Sequence, residues 1–169
     1  MPDTSPDFLA TLRVLSEHQV DFIVIGGVCA VLHGAPLATF DLDIIHSRAP
    51  QNLERLHAAL TSLGAYYREH ATTRPIPQID HLAGPGHHLL MTRAGPLDVL
   101  GEVAGGRVYE DLVGQTVEFE IDQGLRIRVL SLPALISLKE ETGREKDLAM
   151  LPLLRNTLRE QAREEGGRS

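Results

Sequence analysis

The chain has no tryptophan, a single cysteine and only 4% aromatic residues. With Cys29 alone there is no disulfide framework and no cysteine-based zinc site. Scarce aromatics argue against stacking platforms for single-stranded nucleic acid. No apolar run approaches the length of a membrane span, and no signal peptide is visible, so no membrane partner is expected. A reducing, cytoplasmic location is the default for such a chain. Basic residues are the minority, 16 Lys+Arg against 23 Asp+Glu, for a net charge of −7. That excess argues against indiscriminate binding to nucleic acid or to an anionic membrane. Neither G-x-G-x-x-G nor G-x-x-x-x-G-K-[ST] occurs, so the dinucleotide and P-loop readings fall away. Internal repeats, low-complexity blocks and linkers are also missing. The 169 residues, 43% of them hydrophobic, are enough for one domain with a real core, residues 1–169, frayed at 1–5 and 160–169.

What the chain does have is concentrated between Phe22 and Ile45. Phe22-Ile23-Val24-Ile25 is a run of large apolar residues, as in a strand buried on both faces. Gly26-Gly27 follows, a turn where backbone can approach a ligand with no side chain in the way. Val28, Val31 and Leu32 give the next short helix its apolar stripe, and Gly34 ends it. Free N–H groups at the start of that helix suit a phosphate. A loop over residues 35–40 leads to a second strand, 41–46. Alternation puts Asp41 and Asp43 on one side of it and Leu42 and Ile44 on the other. Two carboxylates this close in an apolar strand repel each other and are costly to bury without a cation between them. A hard ion with oxygen ligands, Mg²⁺ or Mn²⁺, answers that chemistry.

Elsewhere the patterns predict a helix over 6–18, with Ser5 as N-cap and Pro6 at its first position. A second helix runs from Pro50 to Gly64, with Leu53, Leu56, Leu60 and Leu63 on one stripe. Residues 66–86, with prolines at 75, 77 and 85, predict loops with short extended pieces. Strands are expected over 88–92 and 96–103, turning at Arg93-Ala94-Gly95, and over 117–121 and 125–130, turning at Asp122-Gln123-Gly124. Ser131 caps a helix to about Thr142, Gly143 breaks it, and another helix covers 144–150, with Pro152 kinking it or starting a new one. The element order predicts an α+β (mixed α/β) domain, a mixed sheet flanked by helices.

In Pro96-Leu97-Asp98-Val99-Leu100 a third carboxylate stands in an apolar strand, where charge needs a reason. If that strand lies beside 41–45, Asp41, Asp43 and Asp98 converge. Two metal ions could then clamp a triphosphate and an attacking oxygen, with Asp98 also helping to deprotonate the hydroxyl.

The run Gly26-Gly27…His33-Gly34…Thr39-x-Asp41-Leu42-Asp43-Ile44, with Asp98 as the later aspartate, resembles the polymerase-β-type nucleotidyltransferase superfamily. Within it, Lys139 and Arg144-Glu145-Lys146-Asp147 resemble the C-terminal run of small stand-alone members of the abortive-infection and toxin–antitoxin type. The resemblance covers about residues 20–150. It implies a nucleotidyltransferase fold and transfer of a nucleoside monophosphate from an NTP to a hydroxyl of RNA or protein, in a toxin with a cognate antitoxin. It also implies Asp41, Asp43 and Asp98 as catalytic and metal-binding residues, and Gly26, Gly27, Thr39 and Lys139 as nucleotide-binding ones. Leu37 stands where many relatives carry Arg two residues before the Thr. That departure motivates an alternative, a weak or inactive nucleotide- or partner-binding module on the same fold. A glycosyltransferase using Asp-x-Asp would leave the glycine turn without a role.

The bland readings stand beside these. A glycine pair marks turns everywhere, and Asp98 next to a turn could simply be solvated. Lys139 shares an apolar helix face with Leu132, Leu135 and Ile136, so it could meet the triphosphate, pair with Asp147 or snorkel. Arg144, Lys146 and Asp147 read as a solvated or ion-paired helix start. His81, His87 and His88 read as loop residues rather than zinc ligands, His33 as a packed or capping residue, and Cys29 as a small core residue.

Overall fold

The computed structural model describes residues 5–167. The fraying expected at residues 1–4 and 168–169 lies outside them. Helix α1 covers Phe8–Glu17 and is capped by Asp7, whose Oδ1 accepts from the Ala10 amide at 3.0 Å. The helix starts two residues later than expected because this carboxylate holds the first turn. Strand β1, Phe22–Ile25, is buried along its whole length, and α2, Gly26–Leu32, follows with no intervening loop. Strand β2 is Leu42–His46, and α3 is Pro50–Ser62.

The stretch expected to be mostly loop holds three small elements. Strand β3 is Tyr66–Tyr67, a 3-10 turn covers Arg68–His70, and α4 is Ile79–Leu82. His81 therefore lies on a helix rather than in a loop. Strands β4, His87–Thr92, and β5, Gly95–Leu100, form the expected hairpin, and His87 and His88 begin β4. Strand β5 ends at Leu100 rather than 103, where the chain bends at Gly101. A Cβ there would sit 2.4 Å from the Gly84 carbonyl oxygen, so only glycine allows this close pass. A short helix, α5, occupies Tyr109–Leu112.

The second hairpin is β6, Thr116–Asp122, and β7, Leu125–Leu130. Helix α6 is Leu132–Thr142, with the Ser131 hydroxyl accepting from the Ala134 amide at 3.3 Å, and it stops at Gly143 with φ 65°. Helix α7 is Glu145–Gly166. It passes through Pro152 instead of breaking there. The carbonyl robbed of its donor belongs to Leu148, which is 48% exposed and so within reach of solvent. The charged stretch from 160 to 166, expected to fray, is helical.

The strands form one sheet in the order β3-β4-β5-β2-β1-β7-β6. The pairs β2·β5 and β1·β7 are parallel and the others antiparallel, so the sheet is mixed, as the element order predicts. Helix α1 packs on α3 and β7, and α2 packs on β1, β2 and α6. Helices on the sheet explain why β1 and the centre of β2 are continuous apolar runs.

Candidate active site

The site is built where β1 turns into α2. Gly26 has φ +71°, and a Cβ on it would lie 2.2 Å from Oδ2 of Asp43. A Cβ on Gly27 would lie 2.6 Å from the Thr39 hydroxyl oxygen. The two glycines therefore make room for this chain's own Asp43 and Thr39. The Thr39 hydroxyl donates to the Asp41 carbonyl at 3.2 Å, holding the entry to β2.

Parallel pairing of β2 with β5 sets Asp43 directly against Asp98. Residues in register on adjacent strands share a sheet face. The Asp43 carboxyl is pushed up to about 7. Burial is the main cause, followed by the negative charges of Asp98 and Asp41, while Lys139 pulls the other way. Asp41 lies just ahead of β2, half-buried, near enough for its field to act on Asp43. Two of the three aspartates are thus adjacent, and the third stands at the edge of the same cleft.

Sequence reasoning missed Arg68. Its guanidinium donates to Asp98 Oδ1 at 2.7 Å and to the Leu90 carbonyl at 3.0 Å. Lys139 does point inward, and of its possible partners it takes Asp147, at 2.9 Å. Arg144 also reaches Asp147, at 3.8 Å. The helix-start reading of Arg144 and Asp147 is therefore an ion pair.

Gly26, Asp41, Asp43, Asp98, Lys139, Arg144 and Asp147 line one cleft of about 1010 Å³, while Arg68 and Thr39 hold two of them from outside that lining. Helix α6 and the start of α7 contribute Leu135, Leu138, Lys139, Lys146 and Asp147, with Arg144 at the α7 N-cap, and the β3–β4 region contributes Tyr67, Glu69, His70, His81 and His87. Volume and lining are those of a small-molecule site. Among the described residues, no group of three or more His, Cys, Asp or Glu side chains is arranged to hold a metal ion. Asp43 and Asp98 nevertheless fit a hard divalent cation. They are oxygen donors set side by side, and their crowding raises Asp43 in a way that a cation would relieve.

The remaining candidates serve the fold. His33 Nε2 donates to the Leu130 carbonyl at 2.8 Å and meets the Phe119 ring edge-on. Cys29 donates to the same carbonyl at 3.2 Å, and burial pushes its thiol up to about 12, so it is an inert core residue. His88 is 8% exposed, on the core face of β4, and bonded to the Tyr67 hydroxyl at 2.8 Å.

No protein-family model and no curated protein matches the sequence. Solved structures do. The lincomycin-bound crystal structure of the lincosamide antibiotic adenylyltransferase LnuA matches with a TM-score of 0.59 at 15% identity, covering 89% of this chain and 95% of that one. The solution structure of the antibiotic-resistance factor ANT(2'')-Ia matches with a TM-score of 0.55 at 18% identity, covering 89% of this chain and 82% of that one. At such identities the likeness lies in the arrangement of elements. The chain therefore adopts the nucleotidyltransferase fold.

Proposed function

We propose that this protein transfers a nucleoside monophosphate from an NTP to a hydroxyl acceptor in the cleft above Asp43 and Asp98. The observation that supports this most is the register pairing of those two carboxylates in the lining of the cleft, opposite the Gly26 turn. The acceptor hydroxyl passes its proton to the Asp98 carboxylate, its oxygen forms a bond to the α-phosphorus, the bond from that phosphorus to the bridging oxygen breaks, and pyrophosphate leaves. Asp43 and Asp98, with Asp41 beside them, would hold Mg²⁺ or Mn²⁺. When bound, such an ion supplies neutralisation of phosphate charge and a lowered pKa for the attacking hydroxyl. Arg68 orients Asp98 through their ion pair. Gly26 and Gly27 let Asp43 and Thr39 close against the turn. Lys146, Arg144 and Lys139 offer positive charge for the triphosphate, with Lys139 exchanging Asp147 for phosphate oxygens.

We read the acceptor as a hydroxyl on RNA or protein, and the setting as a cytoplasmic toxin held by a cognate antitoxin. The resemblance of Lys139 and Arg144-Glu145-Lys146-Asp147 supports this. No helix among the described residues is long and apolar enough to cross a membrane. A second reading is a nucleotide-binding module without turnover. In its favour, Asp98 and Lys139 are already neutralised by Arg68 and Asp147, and Leu37 packs against the core where a phosphate-gripping cation was expected.

The experiment is incubation with Mg²⁺, each α-labelled NTP, and cellular RNA and protein. Labelled product that vanishes in Asp43→Ala supports transfer. Calorimetric NTP binding with no labelled product from any nucleotide favours the module.

A further inference from the structure

A second hollow of about 430 Å³ lies beside the cleft. Tyr66, Met91, Arg74 and Arg93 line it, and it has Ile76 in common with the cleft itself. The sheet explains how the two connect. Leu89 pairs with Asp98 and lines the cleft. Met91, two residues further along β4 and on the same face, pairs with Tyr66 of β3. At about 3.3 Å per residue the two rows are about 7 Å apart, so one small molecule can reach both.

The charge of the hollow differs from that of the rest of the molecule. The cleft is lined by Asp41, Asp43, Glu69, Asp98 and Asp147, whereas no carboxylate lines the hollow. In a chain of net charge −7, Arg13, Arg48, Arg55, Arg68, Arg107 and Arg155 all pair with carboxylates. Arg74 and Arg93, like Arg126, Arg128, Arg159 and Arg163, form no ion pair with a carboxylate among the described residues; what sets these two apart is that both line one hollow.

Both arginines are nevertheless held. The Arg74 guanidinium lies 4.9 Å from the centre of the Tyr66 ring, and its Nε donates to the Ala71 carbonyl at 3.3 Å. Its backbone is left-handed, φ 48°, an uncommon state for a non-glycine residue that needs support from its surroundings. Arg93 donates to the Ser62 carbonyl, and its stem runs alongside Gly64. A guanidinium has five N–H donors, and each of these spends one on a carbonyl. The remaining donors form forks that match phosphate oxygens.

We propose that the hollow of Tyr66, Arg74 and Arg93 is a subsite for a phosphate group carried by the acceptor. This rests on the transfer reading and narrows its substrate to hydroxyl compounds bearing a phosphate. The phosphate docks in the hollow while the hydroxyl lies over Asp98. The phosphate belongs either to the terminus of an RNA, within the acceptor class read above, or to a small sugar phosphate, which would replace that acceptor class.

The test compares wild type with Arg74→Gln/Arg93→Gln and Arg74→Lys/Arg93→Lys, without NTP. Calorimetry uses ribose 5-phosphate and unphosphorylated ribose, and anisotropy uses a short labelled single-stranded RNA. Both arginines are exposed, so all variants should melt within a few degrees of wild type. The double Gln variant is expected to lose at least tenfold in affinity for a phosphorylated probe, with ribose unbound throughout and the Lys pair recovering part of the loss. A loss seen only with RNA, its salt slope falling by about 1.4 for two contacts, assigns the phosphate to a polymer. A loss already seen with ribose 5-phosphate assigns it to a small molecule. Unchanged affinity in the Gln variant, or no binding of either phosphorylated probe to wild type, overturns the subsite. Arginine-dependent binding in a protein that transfers no nucleotide overturns the transfer reading alone.

Discussion

Asp43 and His46 lie three residues apart on one strand and titrate in opposite senses. Asp43 is raised from 3.8 to about 7, first by burial. An acid raised in the folded state favours folding while protonated, so that contribution is full below 3.8 and is lost as pH rises through 7. His46 is lowered from 6.5 to about 4, again first by burial, and its Nε2 has no partner. It favours folding while neutral, so its contribution is present above 6.5 and is lost as pH falls towards 4. In chelator the two slopes oppose each other over much of the same window. Melting curves against pH should separate them. The advantage of Asp43→Asn over wild type grows from pH 4 to 7, and that of His46→Gln shrinks from pH 4 to 6.5. Curves that stay parallel for both variants would contradict these environments. Gly26 makes a second prediction at this scale. With its φ and its contact to Asp43, Gly26→Ala should cost about 1–3 kcal/mol in urea unfolding and remove transfer activity. A stable, active Gly26→Ala would show that the turn does not seat the carboxylate.

Among the elements, the link that matters most is between the central strands and the sheet's edge. Arg68 begins the 3-10 turn after β3, and its hold on Asp98 and on the Leu90 carbonyl joins that edge to the site. Arg68→Gln leaves a largely buried carboxylate without its partner. It should lower stability by about 1–3 kcal/mol by denaturant titration, with Arg68→Lys recovering part. An Arg68→Gln protein as stable as wild type would make the pair incidental. The same element shows what was legible in the sequence. The strand–turn–helix, Asp43 in β2 and Asp98 in an apolar strand all follow from periodicity within single elements, whereas Asp41, expected on the strand, lies just ahead of it. Arg68 could not be found that way, because a two-residue strand has no period and its partner lies 30 residues on. The four-residue helices α4 and α5 are likewise too short for a repeat to register. The early end of β5 depends on the pass of Gly101 against Gly84, which only the tertiary fold creates. At Pro152 the new helix start is excluded, because α7 runs through it as one helix, and on an exposed helix face solvent can meet the freed carbonyl.

Over the whole molecule, one helix ties the site together. The start of α7 lies in the cleft at Lys146 and Asp147. Its far end holds the end of α2, where Gln161 donates to the His33 carbonyl at 2.8 Å. Helix α2 itself starts at Gly26, beneath Asp43. Sheet register, the glycine turn and α7 thus converge on one pair of carboxylates, and the proposed transfer requires that they hold a divalent cation next to a nucleotide. The most direct measurement is a Mn²⁺ titration by electron spin resonance, with a non-hydrolysable NTP present, on wild type, Asp43→Asn and Asp147→Asn. Saturable Mn²⁺ binding is expected in wild type and in Asp147→Asn, with at least a tenfold loss in Asp43→Asn. Undiminished binding in Asp43→Asn would contradict cation binding by this pair.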